Sequence, residues 1–315
     1  MNTSRALFDA HCDTISRCLV RGEALAENSG QLDLERAGRY CPYAQFFAVF
    51  QDSAKLGREA PWQAFLRQYR LFRGEMEKNA RRIVHCRTLA QAREAQAQGK
   101  TAAFLSVEGA ELLECSEARL EEAWRLGVRA VNLTWNHANL LSGSHREEPE
   151  RGLSPAGRAF VRRMGELGMI VDVSHLSDAG FWDVAELCTG PFMASHSNAR
   201  EIFFHTRNLT DGQFTAIIEH HGVAGLNFYA GFLGEKPDLD TVIAHLEHFL
   251  ALGGEENVAL GTDLDGCDVL PSGVSGVEDV EKLREKLLRR NYSETLVQKL
   301  FFDNLMRVVS EVCIM

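Results

Sequence analysis

The sequence lacks the features that mark membrane, secreted and disulfide-linked proteins. No apolar run approaches the roughly 20 residues that a transmembrane helix requires, and the N-terminal segment has no apolar core followed by small residues, as a signal peptide has. The eight cysteines include no Cys-x-x-Cys pair, which favours reduced thiols over a disulfide framework. We therefore expect a soluble, cytoplasmic protein.

Basic residues are also too few for a nucleic-acid-binding surface. The formal net charge is -10 at pH 7, whereas proteins that bind the phosphate backbone usually carry a basic face. No repeat, low-complexity tract or linker rich in proline and serine interrupts the chain. We therefore predict no nucleic-acid partner and one domain over residues 1–315.

Short apolar runs alternate with longer amphipathic stretches along the whole chain. This alternation is typical of a parallel sheet covered by helices, and the near-continuous hydrophobicity of the runs fits strands buried on both faces. Eight runs have this character: residues 6–13, 44–50, 101–108, 128–135, 169–175, 191–196, 223–229 and 258–263. The sequence therefore predicts an α/β fold, a (β/α)8 TIM-type barrel. A homodimer is expected because barrels of this kind often dimerise, although no segment identifies an interface.

Helix boundaries are marked between these runs. Ser154 followed by Pro155 predicts a helix start, and Gly168 predicts its end. Thr210 predicts the N-cap of another helix. Two helical patterns lie within residues 51–100, and the region after residue 273 predicts two closing helices, 277–290 and 293–312.

Six side chains of the types that bind metals follow five of the predicted strands. They are His11, Asp13, Glu108, His175, His196 and Asp263. Because the carboxyl ends of all barrel strands open at one face, these residues are expected to surround a single cavity. A two-metal hydrolytic site is the immediate hypothesis.

Each of these side chains also has a structural interpretation when taken alone. A single His-x-Asp is commonly a capped strand end, and Glu108 after five small or apolar residues is either a capping or ion-paired carboxylate or a metal ligand. One histidine after a strand is usually structural, but His175 and His196 follow consecutive strands and favour a shared zinc ion. Asp263 is predicted either to bind a metal or to transfer the proton of a metal-bound water.

The ordered motifs HCD, SVEG, DVSH, SHSN and GTDLDG resemble those of the membrane dipeptidase family, also called renal dipeptidases, which are binuclear zinc peptidases of the amidohydrolase type. The resemblance extends from Phe8 to about Val309 and is nearest to bacterial members without a secretion signal or lipid anchor. It implies two zinc ions per chain, with ligands assigned as follows: His11 and Asp13 for one ion, His175 and His196 for the other, Glu108 bridging both, and Asp263 contacting the bridging water.

The resemblance also assigns the substrate-binding residues. Arg207, in the RN pair, would hold the substrate's carboxylate, and Tyr229, in the segment LNFY, would line the pocket. One position departs from the family, because Trp135 stands where members commonly carry a histidine that is thought to stabilise the tetrahedral intermediate. Asn136 and His137 are the alternative donors that we predict.

Three functions remain open at this point. The first is a zinc dipeptidase, acting through a metal-bridged hydroxide on dipeptides that include those with a C-terminal D-residue. The second is a binuclear amidohydrolase acting on another small amide or a lactam, motivated by Trp135. The third is a catalytically idle barrel that binds a small peptide or metabolite. The intact set of six metal-type residues speaks against the third.

Overall fold

The computed structural model describes residues 5–314, and within them eight parallel strands close into a barrel that is covered by helices. Together with one short additional strand, β3, the strands of the described residues are β1 Leu7–Asp9, β2 Tyr43–Phe50, β3 Ile83–His85, β4 Thr101–Glu108, β5 Val128–Asn132, β6 Ile170–Asp172, β7 Met193–Ala194, β8 Val223–Leu226 and β9 Val258–Leu260. The barrel order is β1, β2, β4, β5, β6, β7, β8, β9, and β9 pairs back onto β1. The predicted (β/α)8 fold class is confirmed.

The strand β3 was not predicted. It pairs with β4 from Ile83↔Thr101 to His85↔Ala103, at the end of β4 where β5 has not yet begun to pair. It has three residues, of which Val84 is exposed, so it produces no continuous apolar run. The two helical patterns expected around it are present.

Most strands end earlier than the sequence predicted. Of the six metal-type residues, Glu108 is the last residue of its strand, and the others lie two to four residues beyond theirs. His175 and Asp263 adopt left-handed backbone conformations, with φ of 70° and 60°. An extended strand cannot continue through such a residue, so these side chains extend from the loops that follow the strands.

The helices are α1 Thr14–Arg21, α2 Leu34–Ala37, α3 Pro61–Lys78, α4 Leu89–Ala97, α5 Glu117–Leu126, α6 Pro155–Leu167, α7 Asp178–Leu187, α8 Asp211–Glu219, α9 Ala230–Leu233, α10 Leu239–Ala251, α11 Val280–Arg289, α12 Glu294–Gln298 and α13 Asn304–Val312. A π-helical turn, Lys299–Asp303, joins α12 to α13. No helix among the described residues has the length and hydropathy needed to cross a bilayer.

The helix boundaries predicted at Ser154, Gly168 and Thr210 are confirmed. The Ser154 side chain accepts a hydrogen bond from the Gly157 amide, and Gly168 ends α6 with φ of 66°. Thr210 and Gln213 form a capping box at the start of α8. These caps satisfy backbone amides that the first helical turn leaves without partners.

Three phenylalanines fill the middle of the barrel. Phe8, Phe46 and Phe104, from β1, β2 and β4, are fully buried, with ring centroids 5.2 to 5.7 Å apart. Phe302, in the π-helical turn, lies 6.1 Å from Phe8 and connects this cluster to the C-terminal helices. Alanines on other strands, such as Ala130, belong to the same cluster and leave room for the rings. The interior is therefore a packed core that supports the strand ends above it.

We predict that Phe46→Ala lowers the free energy of unfolding by about 3–5 kcal/mol, because it removes a buried ring and leaves a cavity. Chemical denaturation of the metal-free protein measures this loss. Phe204→Ala is the matched control, since Phe204 is 80% exposed, and it should change stability by less than about 0.5 kcal/mol. Equal effects of the two substitutions would contradict the packed interior.

Candidate metal centre and active-site cavity

The six metal-type side chains predicted from the sequence converge at the carboxyl ends of the strands. Each is buried, with a relative exposure of 9% or less. His11 and Asp13 lie between β1 and α1, Glu108 ends β4, and the remaining three follow β6, β7 and β9. The barrel thus brings together side chains that are separated by up to about 250 residues of sequence.

His11 is surrounded by carboxylates without forming a hydrogen bond to any of them. Its Nε2 atom lies 3.5 Å from Glu108 Oε2, 3.6 Å from Asp13 Oδ2 and 3.8 Å from Asp263 Oδ1. Both ring nitrogens of His11, Asp13 Oδ1 and Glu108 Oε2 are buried without a hydrogen-bond partner among the described residues. Buried polar atoms without partners are costly, so each needs a physical explanation.

His175 and His196 lie on the other side of Glu108. Their Nε2 atoms are 3.0 Å apart, at 2.9 Å and 3.6 Å respectively from Glu108 Oε1. His175 Nδ1 faces Asn136 Oδ1 at 3.0 Å, and an amide oxygen only accepts hydrogen bonds. The proton of neutral His175 is therefore on Nδ1, which leaves the Nε2 lone pair facing Glu108 and His196.

Burial sets the electrostatics of the cluster. It raises the pKa of Glu108 to about 7 and that of Asp263 to about 6, and the neighbouring Asp13 carboxylate adds to both shifts. Burial alone would lower the pKa of His11, but Glu108 and Asp13 raise it well above its ordinary value. Burial, together with nearby cations including Arg207, lowers the pKa values of His175 and His196 well below the ordinary range.

The donor set fits divalent metal ions. Two groups of ligand atoms lie within 4.8 Å of one another, one formed by His11, Glu108 and His196 and the other by His11, Asp13 and Asp263. Gly266 is packed so closely against the Asp13 and Asp263 carboxylates that a Cβ atom there would collide with both. Imidazole nitrogens and carboxylate oxygens are the ligands that zinc commonly takes. A cation would also supply the partners that the buried atoms lack.

Two further aspartates position the loops that carry the histidines. Asp9 accepts hydrogen bonds from the amides of His11 and Thr262, and Asp172 accepts them from the amides of Ser174 and Ser195. Each therefore ties the end of its own strand to that of the next strand in the barrel. Their carboxylates are occupied by these bonds, and we assign them a positioning role.

The Asn136 side chain lines the cavity and also contacts two histidines. Its Oδ1 atom faces both His175 Nδ1 and His145 Nε2, the latter at 2.8 Å, and His145 Nδ1 lies 2.9 Å from Thr206 Oγ1. Burial lowers the pKa of His145 to about 3, so this ring is neutral and donates through Nε2. The side chain of Asn136, predicted to bind substrate, thus orients a histidine of the cluster. His145 was not singled out by the sequence, because its loop carries no strand signal.

His137, for which we predict a catalytic role, lies between two carboxylates. Its Nδ1 atom lies 2.8 Å from Glu147 Oε1, and its Nε2 atom lies 3.4 Å from Asp52 Oδ1. The ring is absent from the cavity wall, and the Glu147 carboxylate raises its pKa. Both ring nitrogens of His137 thus face carboxylates of the protein, and its catalytic role stays a prediction.

Arg207 is almost fully buried and, like His137, is absent from the cavity wall. Its Nη2 atom donates to the His196 carbonyl at 3.1 Å, and Nη1 lies 3.3 Å from Ser197 Oγ. Nε has no hydrogen-bond partner among the described residues. Burial lowers its pKa to about 10, so the guanidinium remains charged near neutral pH.

Two other residues complete the site. Tyr229 lines the cavity as predicted. Asn227 was missed, although it lies in the same LNFY segment, and its Nδ2 atom donates to Asp263 Oδ2 at 3.1 Å. This bond fixes the orientation of the Asp263 carboxylate.

The cluster opens into a cavity of about 880 Å³. Asp13, Glu108, His175 and Asp263 form its base. Its walls come from α1, the end of β2 and the loops after β5, β7, β8 and β9, and include Arg17, Phe50, Trp135, His145 and Phe232. The volume is within the roughly 300–1,000 Å³ that is typical of small-molecule sites. The cavity therefore admits a small substrate and little more.

Comparison with known proteins agrees with the resemblance seen in the motifs. The model of the family described as membrane dipeptidase, peptidase family M19, matches residues 1–314. A metallo peptidase from Rhodobacter sphaeroides, liganded with a phosphinate mimic of the dipeptide L-Ala-D-Ala, is similar in structure with a TM-score of 0.90 at 27% identity, over 99% of this chain and 100% of that one.

Curated sequences show the same similarity. Dipeptidase tcpJ from Claviceps purpurea is 30% identical over 327 residues, which cover 99% of this chain and 75% of that protein. An uncharacterized dipeptidase from Schizosaccharomyces pombe is 33% identical over 211 residues, or 65% of this chain. The chain spans about half of the length of the latter relative, 52%.

We predict that the affinity of the site for zinc rises with pH between about pH 5 and pH 8, because Glu108 and His11 must lose protons before they bind a cation and an ionised Asp263 adds negative charge beside them. Since the pKa values of both carboxyls and of His11 are raised, protonation weakens binding as the pH falls through about 7 and then 6. Competition with a chromophoric chelator measures the affinity. Glu108→Gln should flatten the dependence and Glu77→Gln should not, whereas a pH-independent wild-type affinity would contradict the prediction.

We predict that Asn136→Ala lowers zinc affinity about 10- to 100-fold, because His175 loses the acceptor that fixes its proton on Nδ1. Chelator competition measures the affinity, and the visible spectrum of the cobalt-substituted protein reports the ligand geometry. Asn136→Asp keeps an acceptor at this position and should restore much of the loss. Equal affinities for wild type and Asn136→Ala would exclude the positioning role.

Proposed function

Because the chain belongs to the membrane dipeptidase family, peptidase family M19, we propose that this metallo-dipeptidase uses two zinc ions to hydrolyse dipeptides in the cavity above the barrel. The observation that carries the proposal is the buried cluster of imidazoles and carboxylates, in which both ring nitrogens of His11 and one oxygen each of Asp13 and Glu108 have no hydrogen-bond partner among the described residues. Such a cluster is costly in a metal-free protein and is well suited to cations.

In this proposal His11 and Asp13 hold one ion, His175 and His196 hold the other, and Glu108 has one carboxylate oxygen toward each pair. The distances agree with this division, since Glu108 Oε2 lies near His11 and Oε1 lies near His175 and His196. Two metal ions, when bound, lower the pKa of a water molecule and polarise the carbonyl of the substrate.

Asp263 is the proton carrier. Its Oδ2 atom is held by Asn227, whereas Oδ1 faces the cluster near His11. Burial raises its pKa to about 6, which is close to the working range of a general base. Asp263 accepts the proton of the attacking water and returns it to the leaving amine.

Arg207 binds the carboxylate of the dipeptide. Its charge and its unpartnered Nε atom favour an anion on the β7 side of the cavity. A longer peptide has no carboxylate at that distance from the scissile bond, so only very short peptides are cleaved. The Rhodobacter sphaeroides structure is liganded with a mimic of L-Ala-D-Ala, and we extend the substrates of this chain to dipeptides with a C-terminal D-residue.

One observation favours a second candidate. Trp135, not a histidine, contributes to the cavity wall beside His175, and His137 does not line that wall. Both facts alter the surroundings of the reacting carbonyl. Hydrolysis of another small amide or a lactam is therefore the alternative function for the same metal centre.

Hydrolysis of L-Ala-L-Ala and L-Ala-D-Ala by purified protein, with zinc removed by a chelator and then restored, tests the proposal. We expect zinc-dependent release of alanine and two ions bound per chain. Asp263→Asn should lower kcat at least about 100-fold, because it removes the proton acceptor, and Asp303→Asn, at an exposed position, serves as the control. The amide of L-Ala-L-Ala should be a poor substrate, and unchanged turnover would disprove the role of Arg207.

Two outcomes would contradict the proposal. If two ions bind and no dipeptide is cleaved, another amide is the substrate. If the protein binds no metal, the barrel is idle.

A further inference from the structure

We propose that Phe50 and Trp135 form the subsite for the N-terminal side chain of the substrate, and that they make the enzyme selective for dipeptides that begin with a large apolar residue. The proposal deepens the dipeptidase function and rests on it. It gives a role to Trp135, the position at which this sequence departs from the histidine of its family.

The two aromatic rings border the metal-type cluster. Phe50 is the last residue of β2 and is the register partner of Glu108 on β4. Trp135 follows β5, and its ring centroid lies 4.8 Å from that of Phe50 and 6.2 Å from that of His175. A continuous aromatic surface therefore lies next to the place where the scissile amide must bind.

Both rings keep part of their surface open to the cavity. Phe50 and Trp135 are half-buried and line its wall, whereas Phe46, on the same strand, is fully buried inside the barrel. Leu19 and Val20 of α1 line the same cavity, and Val20 is 80% exposed. Covering open aromatic and aliphatic surface with an apolar side chain is favourable, because it removes that surface from water.

The charged residues that follow Phe50 do not offer a free charge to a substrate. Lys55 Nζ lies 3.3 Å from Asp52 Oδ2, so this cation has its own acidic partner. Arg17, which also lines the cavity, has Glu23 at 2.6 Å and Asp265 at 3.5 Å. These two cations are already paired, and the surface of Phe50, Trp135, Leu19 and Val20 offers apolar contact beside them.

The barrel order assigns the aromatic surface to the N-terminal residue. In the ring of eight strands, β2 lies opposite β7, and Arg207 contacts His196 and Ser197 just beyond β7. With the carboxylate of the dipeptide on the Arg207 side, the first residue extends toward Phe50 and Trp135. The cavity, at about 880 Å³, is large enough for a bulky side chain there.

The test compares kcat/KM for L-Phe-L-Ala, L-Ala-L-Ala and L-Ala-L-Phe with the zinc-loaded wild-type protein. We expect L-Phe-L-Ala to exceed L-Ala-L-Ala by about tenfold or more, which is within the range that one apolar pocket provides. L-Ala-L-Phe should show no such advantage. Equal values for the first two substrates would overturn the proposal, and an advantage for L-Ala-L-Phe alone would overturn the assignment to the N-terminal residue.

Substitution of Trp135 tests whether this side chain causes the preference for L-Phe-L-Ala. The ratio of kcat/KM for L-Phe-L-Ala to that for L-Ala-L-Ala should fall toward one in Trp135→Ala and should be largely kept in Trp135→Phe, which retains an aromatic ring. Trp182→Ala is the matched control, because Trp182 is 49% exposed on α7 and does not line this cavity. An unchanged ratio in Trp135→Ala would overturn the proposal.

A second route is available if Trp135→Ala has no measurable turnover. The same ratio is then taken from Phe50→Ala, and calorimetry compares binding of the products L-phenylalanine and L-alanine to wild type and to both variants. Loss of the preference for phenylalanine supports the subsite, and its retention overturns it. Failure of zinc-loaded wild type to cleave any of the three dipeptides would instead disprove the proposed function.

Discussion

The desolvation of charge at the carboxyl ends of the strands is the constraint on which the rest of the site depends. Three carboxylates and three imidazoles are buried together, and several of their polar atoms have no hydrogen-bond partner in the part of the chain that the structure describes. The raised pKa values of Glu108 and Asp263 are the direct result of this burial. Divalent cations would offset the cost, so the cost of burial and the capacity to bind metal have the same physical origin.

The residues around the cluster fix the positions of its side chains despite the cost of desolvation. Aspartates tie neighbouring strand ends together, Asn227 holds Asp263, and Asn136 holds His175. Gly266 permits the Asp13 and Asp263 carboxylates to approach one another. Below them, the packed phenylalanines keep the barrel wall rigid. Ligand atoms held in this way lose little conformational freedom when a cation binds.

The sequence predicted the residues that the barrel itself brings together, because apolar runs locate the strands and the strand ends locate the cluster. It could not predict contacts made by loops. His145 contacts Asn136 from a loop whose sequence has no helix or strand periodicity. His137 pairs with Glu147, which lies ten residues further along the chain. The strand β3 was missed because three residues give too little pattern. Residues at the predicted strand ends therefore identified the cluster, but the sequence pattern did not identify the loop side chains that orient it.

The left-handed backbone at His175 and Asp263 has a consequence for how the site is maintained. A residue with a Cβ atom pays about 1–2 kcal/mol to adopt this conformation, whereas glycine adopts it freely. Glycine at either position would therefore relieve this cost but would remove a side chain of the cluster. His175 and Asp263 thus carry a backbone cost that glycine would not, at two places where the side chain belongs to the buried cluster.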